Sequence, residues 1–172
     1  MIALRSGKLK SDRKLKQTPI IREAFTMISS EQPESRAVHH LARFVTREAI
    51  ALLLNRKPQE IYRIGCWRHV IHVVGKGIST FVSYADLPPI LGVEPPSPRD
   101  FLTWRKRWKK NKNKAPKFWA QFYAKKFQTV PTLLEMYNWG ELVGVIKSAL
   151  SESAVEWLRS VYIQEKNAME NF

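Results

Sequence analysis

The sequence is poor in cysteine and in long apolar runs, and both absences limit what the protein can be. Cys66 is the only cysteine among 172 residues, so an intramolecular disulfide and a zinc ribbon with four thiolates are excluded. The longest apolar stretches, residues 49–54 and 70–74, are far shorter than the roughly 18 to 20 residues of a membrane-spanning helix. No apolar run typical of a secretory signal follows the basic N-terminus. We therefore expect a cytoplasmic protein without a transmembrane segment.

Acidic residues are nearly missing from two basic regions. Residues 99–126 contain one acid, Asp100, and eleven basic residues, which are Arg99, Arg105, Lys106, Arg107, Lys109, Lys110, Lys112, Lys114, Lys117, Lys125 and Lys126. The first 22 residues contain one acid, Asp12, and seven basic residues, which are Arg5, Lys8, Lys10, Arg13, Lys14, Lys16 and Arg22. The formal charge of +14 is therefore concentrated in these two regions. Such segregation is typical of proteins that bind an anionic partner.

The composition predicts one folded domain with a basic arm in front of it. A hydrophobic content of 44% with six Trp, five Tyr and eight Phe is too high for a wholly disordered chain. The chain is long enough for one core and too short for two independent ones. Residues 1–18 are short of apolar side chains, so we expect a disordered basic arm there. Residues 19–172 are expected to form a single α+β domain.

Residues 35–86 are predicted to form a helix followed by a β-hairpin. Apolar residues recur at helical spacing from Val38 to Leu52, which indicates one amphipathic helix that starts at Ser35 and ends near residues 55–57. Residues 62–74 and 78–85 are rich in β-branched and aromatic side chains and flank a glycine-containing turn at residues 75–77. A bulge is expected near residues 66–67. Because two strands alone are marginally stable, the hairpin must pack on helices or pair with a further strand.

Residues 87–98 are predicted to be a proline-rich loop, and residues 99–172 a helical half. The loop holds five of the ten prolines, which neither a helix interior nor a sheet interior accommodates. Helices are expected at about 97–110, 116–128, 131–150 and from 153 onward, with breaks at the Asn- and Lys-rich stretch and near the prolines.

Aromatic residues in the basic region recur at helical spacing. Phe101, Trp104 and Trp108 share one helical face, and Trp119 lies four residues before Tyr123 in the next predicted helix. Such stripes are typical of a buried helix face, with the lysines in water. The alternative is that one or two of Trp104, Trp108 and Trp119 are exposed and stack on nucleobases.

The other candidate sites match a metal site or a catalytic site only weakly. Cys66, His69 and His72 have spacing reminiscent of a metal site, but in one regular strand His69 faces away from the other two. Asp86, at a predicted strand end with two glutamates upstream, is the only arrangement that resembles a nuclease site. We expect no metal, no cofactor and no enzymatic activity.

The sequence therefore favours a non-enzymatic protein that binds DNA or RNA with weak sequence specificity. The predicted phosphate contacts are Lys8, Lys10, Arg13, Lys14 and Lys16 of the arm, together with Arg105, Lys106, Arg107, Lys109, Lys110, Lys112, Lys114, Lys117, Lys125 and Lys126. One alternative is a structural or regulatory adaptor that docks on an acidic protein or a larger ribonucleoprotein assembly. Binding to an anionic membrane is a further alternative, which the narrow aromatic stripe disfavours.

Overall fold

The computed structural model describes residues 38–171, and these residues form an α+β fold. The strands are β1 (Ile61–Cys66), β2 (Ile71–Gly75) and β3 (Ile78–Val82). The α-helices are α1 (Arg47–Leu53), α2 (Pro98–Arg107), α3 (Phe118–Thr129), α4 (Leu133–Ile146) and α5 (Glu152–Glu170). The predicted fold class is confirmed, as are the four helices of the C-terminal half. The basic arm and the start of the predicted domain lie outside the described residues.

Two helical segments replace the predicted continuous first helix. The chain forms a 3-10 helix (His40–Phe44), becomes extended at Thr46, and then enters α1. The Thr46 side chain accepts a hydrogen bond from the Ala49 amide at 3.2 Å and so caps α1. The prediction of one continuous helix is therefore wrong. Leu41 and Phe44 of the first segment and Ala49 and Ile50 of the second are buried in the same core, so the apolar residues on the two sides of the break resemble the stripe of a single helix. The predicted start at Ser35 lies outside the described residues.

The sheet has three antiparallel strands in the order β1-β2-β3. The predicted hairpin is confirmed: Gly75 pairs with Ile78, and Gly77 takes the positive φ of 70° that the two-residue turn requires. The predicted first strand, however, is two strands separated by a turn at residues 67–70. Residues 62–74 thus cover most of β1 and of β2, and β1 is the further strand that the hairpin requires. The expected bulge near residues 66–67 is wrong, since the register shifts between Ile61 and Arg63.

The predicted proline-rich loop is confirmed, and α3 anchors its first part. The Trp119 indole donates a hydrogen bond to the Asp86 carbonyl at 2.8 Å, and the Tyr123 hydroxyl donates one to the Pro89 carbonyl at 2.9 Å. Burial raises the pKa of Tyr123 well above its ordinary value, so its hydroxyl keeps the proton that it donates. Helix α3 also packs against α1, α4 and α5. The loop therefore has a fixed position between the sheet and the helical half.

A buried ion pair fixes the end of the loop at the start of α2. Asp100 is fully buried and accepts hydrogen bonds from the Ser97 amide at 2.8 Å and from the Arg43 guanidinium. Arg43 also donates to the Glu94 carbonyl at 3.0 Å and the Pro95 carbonyl at 3.2 Å. One guanidinium therefore joins the 3-10 helix before α1, the proline-rich loop and α2.

None of the helices in residues 38–171 is both long and apolar enough to cross a membrane.

Candidate functional site

Residues 105–117, here called the cationic segment, run from the last turn of α2 to the residue before α3. The chain contains no Asp or Glu from residue 101 to residue 134. Eight basic residues of the segment are exposed: Arg105, Lys106, Arg107, Lys109, Lys110, Lys112, Lys114 and Lys117. Beyond it, Lys125 is exposed and Lys126 is half-buried on α3. The structure thus brings the predicted basic residues from 105 to 117 together on one continuous surface segment.

Three of the predicted cations have partners within the fold. Arg107 forms two hydrogen bonds with the Asp86 carboxylate, from Nε at 3.1 Å and from Nη2 at 3.0 Å. These hydrogen bonds raise the pKa of Arg107. Lys126 Nζ lies 3.8 Å from a Glu48 carboxylate oxygen, and Lys114 Nζ donates to the Ser148 carbonyl at 3.1 Å. Arg107, Lys114 and Lys126 therefore already have partners within the fold, and an anionic ligand would have to compete for them.

The other six cations of the segment are Arg105, Lys106, Lys109, Lys110, Lys112 and Lys117. None of them lies within ion-pair distance of a carboxylate belonging to residues 38–171. Like charges so close in sequence repel one another unless anions or water screen them. Bound anions would relieve this repulsion, and a polyanion would relieve it at several positions at once.

The backbone between α2 and α3 is held in one conformation. Lys112 and Asn113 both have left-handed φ values, 54° and 60°, which cost a lysine roughly 1–2 kcal/mol. The Asn113 amide donates to the Trp108 carbonyl at 2.9 Å, and the Ala115 amide donates to the Ala149 carbonyl at 2.7 Å. These hydrogen bonds offset the unfavourable torsions. Lys109, Lys110 and Lys112 are consequently displayed from an ordered backbone, which lowers the entropy lost when a partner binds.

The three tryptophans predicted as stacking platforms are buried in the core. Trp104, Trp108 and Trp119 are 0%, 2% and 0% exposed. The Trp104 and Trp108 rings are parallel with centroids 6.0 Å apart, and Trp119 meets them edge-on at 5.4 Å and 4.9 Å. The prediction that one or two of them are exposed for base stacking is wrong, because the aromatic faces of α2 and α3 pack against each other. Their interpretation as core residues is confirmed.

A different aromatic cluster is exposed, on the outer face of the sheet. Trp67, His72 and Phe81 lie with ring centroids 5.0–5.4 Å apart. Trp67 is 47% exposed and Phe81 is 57% exposed. Sequence reasoning missed this cluster, although Phe81 stands between Ser79 and Ser83 at outward-facing positions of its strand. An aromatic residue among serines on the solvent face was the available signal.

The remaining sequence candidates do not converge. Lys8, Lys10, Arg13, Lys14 and Lys16 lie outside the described residues. Cys66 ends β1, His69 lies in the following turn and His72 lies in β2, so the three are not on one strand. The acids Glu48, Glu60 and Asp86 each lie beside a different basic residue, at Lys126, Lys76 and Arg107. Within residues 38–171 no group of three His, Cys, Asp or Glu side chains is placed to hold a metal ion.

The sequence matches no protein-family model, and neither a curated protein nor a solved structure matches it. No residue role can therefore be carried over from a relative. The exposed cationic segment and the exposed aromatic cluster are the features on which a functional proposal rests.

Proposed function

We propose that this protein is a non-enzymatic nucleic-acid-binding protein whose cationic segment contacts the phosphate backbone. The observation that supports this most strongly is the set of six exposed cations between the last turn of α2 and the start of α3, without a carboxylate of the described residues beside them. A nucleic acid offers phosphates at short, regular intervals, so one strand meets several of these cations at once. The basic residues of the N-terminal arm add further phosphate contacts in this proposal.

Binding of this kind has weak sequence specificity. Contacts to phosphates set position and affinity, whereas sequence is read from base edges. Five of these six cations are lysines, whose ammonium groups act as point charges on flexible stems rather than as bidentate readers of guanine. We therefore expect similar affinities for oligonucleotides of different sequence and equal length.

Neutralising four of these cations tests the proposal. The variant Arg105→Gln, Lys106→Gln, Lys109→Gln, Lys110→Gln leaves the Asp86–Arg107 ion pair and the aromatic core untouched. We expect its affinity for a labelled oligonucleotide to fall on the order of 100-fold at about 0.1 M salt, because four phosphate contacts are lost. Fluorescence anisotropy measures the affinity, and circular dichroism verifies that the fold is kept.

The matched control removes the same charge elsewhere. Its four residues are exposed, and none is in an ion pair with another residue of 38–171: Arg47, Arg56, Lys147 and Arg159. Changing all four to Gln should lower affinity far less. Equal losses in the two variants would show that net charge alone determines binding, and an unchanged affinity in the first would show that the site is wrong. If no nucleic acid binds even at about 50 mM salt, an acidic protein becomes the better partner class.

A further inference from the structure

The outer face of the sheet carries an ordered set of aromatic rings. In the antiparallel register His72 pairs with Gly65 on one side and with Phe81 on the other, so these three positions share the outer face. The neighbouring positions Ile71, Val73 and Val82 are buried on the inner face. The Trp67 ring lies over Gly65: a Cβ atom at this glycine would lie 3.4 Å from the indole nitrogen, an ordinary van der Waals distance. The indole thus packs against the strand at Gly65, beside His72 and Phe81.

Hydrogen bonds hold this cluster in place. His72 Nε2 and Ser79 Oγ are 3.0 Å apart, which orients the imidazole on the sheet. The Trp67 amide donates to the Val70 carbonyl at 2.9 Å, and the Tyr84 hydroxyl donates to the Trp67 carbonyl at 2.6 Å. Tyr84 is buried, so it ties the backbone of Trp67 to the core. The Trp67 backbone and the His72 ring are therefore held in place before any partner arrives, which lowers the entropy lost on binding.

The electrostatic surroundings favour an anionic partner. Residues 61–85 contain no Asp or Glu. Arg63, Arg68, His69 and Lys76 are exposed in the same strands and turns, and of these four only Lys76 has an acid nearby among the described residues, Glu60 at 3.9 Å. An acidic peptide would pair with the cations but would leave the rings without flat partners. A single-stranded nucleic acid supplies both phosphates and unpaired bases.

We propose that Trp67, His72 and Phe81 form a base-stacking surface for single-stranded nucleic acid. The inference rests on the proposed function and adds the class of nucleic acid, because a duplex keeps its bases stacked inside and cannot offer them to these rings. The two surfaces are joined through a short segment: Asp86, whose carboxylate holds Arg107 of the cationic segment, lies five positions after Phe81. Even fully extended, five residues span at most about 18 Å. A single strand of several nucleotides is long enough to cover such a distance.

Removing the exposed rings tests the inference. In the variant Trp67→Ala, Phe81→Thr both rings are lost, and threonine retains the β-propensity of the strand. We expect affinity for a single strand to fall roughly 10- to 100-fold, with no comparable loss for a duplex. Tyr137, which is 42% exposed on α4, provides the matched control, and Tyr137→Ala should bind normally.

Tryptophan fluorescence tests the inference independently, with variants that keep an aromatic ring at the substituted position. Of the six tryptophans, Trp104, Trp108, Trp119 and Trp139 are buried, which leaves Trp67 and Trp157 accessible to bases. A single strand should quench the emission of Trp157→Phe as strongly as that of the unaltered protein. In Trp67→Phe the quenching should largely disappear. Quenching that depends on Trp157 instead would overturn the inference.

An abasic strand of the same length and charge separates stacking from phosphate contact. The unaltered protein should bind it at least 10-fold more weakly than the base-containing strand, and Trp67→Ala, Phe81→Thr should weaken this residual binding no further. Equal affinity for the two strands would overturn the stacking surface and leave the proposed phosphate binding intact. Failure of the unaltered protein to bind any strand would overturn both. RNA and DNA strands used in parallel identify which sugar is preferred.

Discussion

Replacing Asp100 by Asn is expected to destabilise the protein by about 3–5 kcal/mol. The change removes one partner of a buried ion pair and leaves the Arg43 guanidinium, which is 18% exposed in its side chain, without its carboxylate. The same carboxylate completes the capping box of α2 through the Ser97 amide. Both interactions are weakened, because a neutral amide oxygen is a poorer acceptor than a carboxylate, and the proline-rich loop is held less firmly to α2. Urea unfolding of the two proteins at pH 7 measures the difference.

The pH dependence of this effect has a definite sign. Burial by itself raises the pKa of Asp100, but the hydrogen bonds from Arg43 and Ser97 outweigh it and hold the pKa below its ordinary value. Stability from a carboxylate with a depressed pKa is fully present above the unfolded-state value of about 3.9 and is lost as pH falls through the folded-state value. The stability difference between the original protein and Asp100→Asn should therefore be constant near neutral pH and shrink in acid.

Asp86→Asn is the appropriate control for Asp100. Asp86 also forms a bidentate pair with an arginine, but the Arg107 side chain is 54% exposed, so water replaces the lost interaction. We expect a cost of only about 0–1 kcal/mol. Equal costs for the two variants would contradict the assignment of Asp100 as the buried junction of three segments.

Trp104→Ala is expected to destabilise the protein by about 3–5 kcal/mol, because it empties the centre of the aromatic core. Trp104 contacts Phe44 and Phe101 as well as the other two tryptophans of α2 and α3. Thermal and urea unfolding measure the loss, and Trp157→Ala on the surface should cost far less. A stable Trp104→Ala protein that binds nucleic acid more weakly would instead mean that this ring is a binding residue.

Phenylalanine substitutions separate the packing of the indoles from their hydrogen bonds. The indole N–H of Trp104 is buried without a hydrogen-bond partner among the described residues, whereas that of Trp119 donates to the Asp86 carbonyl. Phenylalanine at position 104 removes a buried N–H and with it the desolvation cost of that group. Phenylalanine at position 119 instead leaves the Asp86 carbonyl without its donor. Trp119→Phe should therefore be more destabilising than Trp104→Phe, by about 1–2 kcal/mol.

Local sequence signals predicted the helical half well and the sheet only in part. Ser97 and Pro98 are strong start signals, and α2 begins at Pro98. The turn at residues 67–70 contains no Gly, Pro, Asn or Asp, so nothing in the sequence marks the break between β1 and β2. Thr46 likewise lies within a continuous helical pattern, and no local signal shows that its side chain caps the start of α1.

The candidate site depended on contacts that no local pattern contains. Helical spacing showed that Trp104 and Trp108 share a face, but only the packing of α2 against α3 decides that this face is buried. The pairing of Arg107 with Asp86 joins residues 21 positions apart, and that of Arg43 with Asp100 joins residues 57 apart. Charge composition therefore identified the cationic segment, whereas the fold determines which of its cations are available.

The salt dependence of binding tests the central claim most directly. The affinity of the full chain for a labelled single strand would be measured by anisotropy between about 50 and 200 mM salt. If the six cations of the segment that have no carboxylate of residues 38–171 beside them contact phosphates, log affinity should fall linearly with log salt with a slope of about −4, or steeper if the N-terminal arm takes part. A slope near zero, or no binding at the lowest salt, would contradict the claim that this surface binds nucleic acid.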